Sequence, residues 1–162
     1  FENKDELVQA VIRLHLQANE CGCEATTKAA ANAVDELFRI MTLNKKLFSQ
    51  LHPAVFFDLQ KYHPGAWDLF NAHKFNFILT KVKENIRRGM EEGLFRADLD
   101  VEVMSRLRLA QIELVFNPDI FPPDRFNIGE VQLECLEHFM LGIATLKGHK
   151  LINEYKQVTE EE

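Results

Sequence analysis

Apolar positions in this chain of 162 residues recur three and four residues apart and do not alternate. Short breaks carrying Gly and Pro divide them. That is the period of helices packed on one face, and it predicts an all-α bundle of about six or seven helices. Asn3 with Glu6 three residues on forms a capping box and opens a helix over 4–19, with the stripe Leu7, Val8, Val11, Ile12, Leu14. Cys21-Gly22-Cys23 reads as its stop. Thr26 or Thr27 caps a second helix to Leu43, with Ala30, Ala33, Val34, Leu37, Phe38 and Met41 inward, and Asn44 restarts a short piece through Leu47, Phe48 and Leu51. His52-Pro53 and His63-Pro64 each read as an N-cap followed by Pro at the first helical position. The first opens a short helix with Val55, Phe56, Phe57 and Leu59. The second opens the longest, 65–91, roughly 40 Å at ~1.5 Å per residue. Gly93 is a left-handed stop with Leu94 as its hydrophobic contact. Asp98 or Asp100 caps a helix to Phe116, which Asn117-Pro118 ends, and 117–126 form a loop with three prolines. Asn127 with Glu130 opens a helix to Leu146, Lys147-Gly148 breaks it, and a short piece over 149–157 follows. No repeat or composition shift divides the chain, so 1–162 reads as one domain.

Two of these helices are too apolar for one buried face. Around 128–146, the apolar positions cover an arc of roughly 200°, where a surface helix needs little more than ~100°. Along 100–116, Val101, Met104, Leu107, Leu109, Ile112, Leu114, Val115 and Phe116 spread nearly all round. The expected solution is a homodimer in which both helices pack against their copies as an intermolecular four-helix bundle. Its interface would draw on Leu107, Leu114, Val131, Cys135, Phe139, Gly142, Ile143 and Leu146, with Gly142 allowing close backbone approach.

Charge narrows the function. Lys and Arg number 19 against 25 Asp and Glu, a net charge of −6. Residues 82–162 carry all of it. A nucleic-acid-binding domain is normally basic, so the chain as given is not one. Three cysteines make no disulfide framework, and Cys21-Gly22-Cys23 lacks the two-residue spacer of zinc and redox sites. They read as reduced thiols of a cytoplasmic protein. No apolar run approaches the ~20 residues of a membrane span, no signal peptide precedes the first helix, and no membrane partner is expected.

Chemistry is sparse. Glu134 and His138 are four apart with no second copy, unlike the paired Glu-x-x-His of di-iron bundles. Asp98, Asp100 and Glu102 imitate the start of a calcium loop, but its sixth position is Val103 and its twelfth Leu109. No phosphate-binding glycine loop, nucleophile elbow or zinc helix motif occurs. Neither catalysis, a metal nor a cofactor is expected. What remains is a concentration of Phe and Trp with His73, Asn76, Thr80, Ser105, Arg108 and Gln111 set among apolar positions. An apolar helical lining with few polar groups suits a small-molecule pocket as well as an ordinary core.

The opening Phe1-Glu2-Asn3-Lys4-Asp5-Glu6-Leu7 resembles the junction in TetR-family transcriptional regulators where the helix-turn-helix head runs into the long connecting helix. Phe1, Asn3, Lys4, Glu6 and Leu7 match that motif. Residues 89–100 resemble the family's turn before the first dimerisation helix, and 142–148 the end of the last one. The helix order is also similar. The resemblance implies an effector-binding and dimerisation domain of a regulator, usually a repressor, released by a small apolar or aromatic effector. Operator DNA would be met only through an N-terminal head absent from this chain, of which residues 1–3 are the residual end. The family's regulatory domains diverge, so the pocket residues rest on the aromatic concentration: Phe38, Met41, Phe57, Trp67, Phe70 and Phe77 with Met104 for apolar contact, His73 and Gln111 to orient polar atoms. The alternative is a dimeric helical interaction module with neither small ligand nor catalysis.

Overall fold

A computed structural model describes residues 3–48 and 54–161. The expected all-α bundle is what the chain forms. The helices are α1 (Lys4–Ala29), α2 (Ala33–Phe48), α3 (Ala54–Tyr62), α4 (Pro64–His73), α5 (Leu79–Glu91), α6 (Val101–Leu114), α7 (Ile128–Ile143) and α8 (Leu146–Glu161). A π-helical turn, Lys74–Ile78, joins α4 to α5 without a break. The two therefore make the single long rod expected over 65–91, and the bundle has seven rods among the described residues.

Several ends follow the local rules. Asn3 Oδ1 accepts from Glu6 N–H at 2.9 Å, Asp100 Oδ1 from Val103 N–H at 3.1 Å, and Asn127 Oδ1 from Glu130 N–H at 3.1 Å. Pro64 sits at the start of α4. Gly93 ends α5 at φ 73°, the left-handed conformation a glycine adopts without strain. The His52-Pro53 cap and Leu51 lie outside the described residues.

Three boundaries differ from expectation. Gly22 does not stop α1, which runs on to Ala29. A Cβ there would stand 2.8 Å from the Leu43 side chain, so this glycine lets α1 and α2 approach. Thr27 caps nothing and donates back to Cys23 O at 2.9 Å. The α2 cap is Asn32, whose Oδ1 accepts from Asp35 N–H at 2.8 Å, and α2 continues unbroken to Phe48. The break expected at Lys147-Gly148 falls earlier, at Ala144 and Thr145. Gly148 lies inside α8 because a Cβ there would strike the Leu94 carbonyl oxygen.

The core lies where α2, α5, α7 and α8 meet. Val34, Met41, Ile86, Leu136, Met140, Ile143 and Ile152 fill it, with Leu94 and Phe95 inserted from the turn after α5. That turn is tied to the α7–α8 joint. Arg96 N–H donates to Ile143 O at 2.9 Å, Thr145 N–H to Leu94 O at 3.0 Å, and the Thr145 hydroxyl to Gly93 O at 2.7 Å. A polar latch fixes the α1–α2 junction to α5. Arg88 donates to Glu36 Oε2 at 2.9 Å and Ala30 O at 2.8 Å. Asn85 donates to Ala33 O and Glu36 Oε1 at 3.0 Å, and Ala33 N–H donates to Glu92 Oε1 at 2.7 Å. Every oxygen of the buried Glu36 carboxylate is thereby met, as a buried charge requires.

Part of the excess apolar surface of α7 is covered within the chain, while Leu133 stays exposed. Phe139 and Ile143 point into the core, and Cys135 faces the interior beside α6. These three expected interface residues are therefore inward positions of a central helix. Val131 is half-buried, and Gly142 is exposed with nothing near it. On α6, Val103, Leu107 and Leu114 stay exposed at helical spacing, and Leu146 at the start of α8 is 85% exposed. No described helix is long and apolar enough to cross a membrane.

Candidate ligand-binding site

The seven rods do not close on one another completely. A cavity of about 400 Å³ lies among α1, α2, α3, the α4–α5 rod, α6 and α7, within the range of small-molecule sites. From α1 it takes one continuous stripe, Leu7 to Cys23 at three- and four-residue steps. From α2 come Leu37, Ile40 and Met41, from α3 Val55, Phe56 and Leu59, and from the long rod Phe70, His73, Phe77, Ile78 and Val82. α6 and its C-cap contribute Arg108, Gln111, Ile112 and Val115, with Phe116 following. α7 contributes Gln132, Cys135 and Leu136.

Of the nine residues expected from sequence, Met41, Phe70, His73, Phe77 and Gln111 line this cavity. Four do not. Phe38 stacks on Tyr155 of α8 at 5.1 Å, and Met104 packs against the core. Phe57 is exposed on the outer side of α3. Trp67 stands one step back, stacked on Phe70 at 5.5 Å. Counting aromatic residues placed the region. Which face of each helix turned inward depended on neighbours distant in sequence. The α1 stripe was legible as amphipathic, but its polar members His15 and Asn19 carried no signal that they face a cavity.

The π turn shapes one wall. It inserts one extra residue into the rod beside His73 and Phe77, whose rings stack at 5.2 Å. The buried His73 ring has Nδ1 3.2 Å from Glu20 Oε1 and Nε2 3.1 Å from Asn19 Oδ1. Burial pushes the His73 pKa below its ordinary value, against the opposing pull of Glu20. A neutral imidazole holds one proton. Asn19 Oδ1 faces Nε2, while Asn19 Nδ2 donates to Asn44 Oδ1 at 3.2 Å. The neutral ring therefore donates through one of its two contacts at a time, and this small polar chain crosses from the rod through α1 to α2.

Other polar groups divide into satisfied and unsatisfied ones. Lys81 is paired with Glu24 at 2.8 Å and Glu84 at 3.5 Å. Burial alone would lower its pKa, but Glu24 and Glu84 together hold it above the ordinary value. Burial drives the Cys23 thiol up to about 11, which leaves it protonated and unreactive. Cys21, two residues away on the helix, is exposed. Gln111 Oε1 is buried without a hydrogen-bond partner among the described residues. Among the described residues no group of three or more His, Cys, Asp or Glu is placed to hold a metal ion.

The cavity surface is therefore mostly hydrocarbon and aromatic, with a few polar groups on its walls. Comparison with protein-family models, with curated proteins and with solved structures finds no match to this chain.

Proposed function

We propose that this chain is the effector-binding and dimerisation domain of a TetR-like transcriptional regulator, a repressor released when a small ligand fills the cavity. The observation that carries the reading is the cavity itself. A helical interaction module without a ligand has no use for about 400 Å³ of apolar space, because unfilled volume forfeits packing energy.

The placement of α1 supports a switching role. Its inner stripe lines the cavity from Leu7 to Cys23, yet only Cys23 among its 26 residues is buried. A helix held by so few buried contacts shifts at low cost. A reading head attached before Asn3 would be carried by that shift. Two heads on a dimer must meet half-sites ~34–36 Å apart. A ligand that prefers the wrongly spaced state lowers DNA affinity by its differential binding energy, typically ~1–3 kcal/mol. The partner copy would pack on the exposed apolar positions of α6 and α8, Val103, Leu107, Leu114 and Leu146, with Gly142 open beside them.

The deciding experiment reads the coding sequence in frame upstream of Phe1 and measures the mass of the purified chain in solution. A basic helix-turn-helix segment running into Phe1, with a dimer mass at micromolar concentration, is the expected result. An initiation codon directly before Phe1 overturns the regulator reading, and a monomer mass overturns dimerisation through this domain.

A further inference from the structure

One charged group in the cavity wall has no carboxylate partner among the described residues. Arg108 is 7% exposed and lines the cavity. Among the described residues it makes no hydrogen bond and no ion pair; the Phe139 ring lies 5.8 Å from its guanidinium carbon, and Cys135 is near enough to act on its charge. Burial pulls its pKa well below the ordinary arginine range, to about 10, so it stays charged at neutral pH. Buried guanidinium groups are ordinarily matched by a carboxylate. The cavity lining contains no Asp or Glu. Lys81, the other strong cation there, is already paired with Glu24 and Glu84. The unmet charge of the site is therefore one positive charge, fixed on α6.

Two amides line the same cavity, one on α6 and one on α7. Gln111 follows Arg108 by three residues on α6, on the same face, and its Oε1 is buried without a partner among the described residues. Gln132 precedes Cys135 by three residues on α7. It is 7% exposed and has no hydrogen bond among the described residues. Opposite them the cavity is aliphatic and aromatic, from Leu7, Val8, Ile12, Phe56 and Phe70.

We propose that the ligand is an amphipathic monoanion, an apolar body ending in one carboxylate, with the carboxylate on the Arg108 guanidinium and the Gln111 and Gln132 amides beside it. This rests on the reading that the cavity binds a small molecule. A carboxylate matches the planar donor fork of arginine and cancels its charge. A phosphate dianion would leave one negative charge buried and unmatched. A neutral apolar ligand would leave the guanidinium as it stands.

The test titrates the purified chain with decanoate, decan-1-ol and decyl phosphate at about pH 8, where the acid is ionised. Emission from Trp67, the one tryptophan, reports through its stack on Phe70. Decanoate should bind about 10- to 100-fold tighter than decan-1-ol, the range for a hydrogen bond to a charged group. Arg108→Met should abolish that preference while keeping the affinity for decan-1-ol. Equal affinity of the wild-type chain for acid and alcohol overturns the proposal and leaves the cavity reading standing. Binding of neither overturns both. Decyl phosphate binding tighter than decanoate overturns the single-charge argument. The wild-type comparison decides even if the variant fails to fold.

Discussion

Replacing Arg108 by methionine should stabilise the ligand-free protein. The magnitude follows from its burial. A guanidinium pulled down to about 10, well below the ordinary arginine range, has its charged form disfavoured by about 3 kcal/mol, at ~1.36 kcal/mol for each tenfold change in acidity. The Phe139 ring, 5.8 Å from the guanidinium carbon, offsets about 0.5–2 kcal/mol of that. Methionine is unbranched, apolar and adaptable to irregular space. The net expectation is a gain of about 1–2.5 kcal/mol, or a rise in Tm of about 2–10 °C for a chain of this size. Urea unfolding monitored by circular dichroism measures it as a higher midpoint at unchanged slope. Added decanoate should raise the wild-type midpoint more than that of Arg108→Met, because binding to the folded state shifts the equilibrium in proportion to the logarithm of affinity. A loss of 1 kcal/mol or more on going to methionine in the ligand-free state would refute the reasoning. It would mean that the guanidinium is already satisfied and that the missing charge is not a ligand's.

The same substitution at Arg88 should have the opposite sign. Arg88→Met removes a cation from the buried Glu36 carboxylate and should cost about 3–5 kcal/mol, read in the same urea experiment. Gly148→Ala should cost about 1–3 kcal/mol, because the new Cβ meets the immovable Leu94 carbonyl. Gly142→Ala, with open space around it, should gain up to about 1 kcal/mol within one chain while weakening any dimer that needs close approach there, which calorimetry and sedimentation separate. The lowered pKa of His73 means that the folded state binds fewer protons than the unfolded one below the ordinary histidine value. The stability it contributes is complete above about pH 6.5 and is lost as pH falls through the folded value. Urea midpoints from neutral to mildly acidic pH should therefore fall, and His73→Gln should flatten the slope. An unchanged slope would show that other groups carry it.

Local chemistry determined what depends on a few consecutive residues. Asn3, Asp100 and Asn127 cap helices because a short polar side chain reaches the N–H three residues on. Gly93 stops α5 because it turns left-handed. The helical period and the one long rod were likewise written in spacing alone. Tertiary contact decided the rest. Gly22 reads locally as a stop, but α2 packs against it and the helix continues. Gly148 reads as a break, yet it is the point where α8 passes the Leu94 carbonyl. The broad apolar arc of α7 suggested a partner molecule. The chain itself covers Phe139 and Ile143, because α7 is central and a central helix is enclosed on several sides. The aromatic cluster marked the neighbourhood of the cavity, but only packing chose Phe70 and Phe77 over Phe38 and Phe57. Arg108 was visible among apolar neighbours in the sequence. That no carboxylate among the described residues pairs with it is decided by the helices that enclose the cavity it lines, and no run of residues on one helix could reveal it.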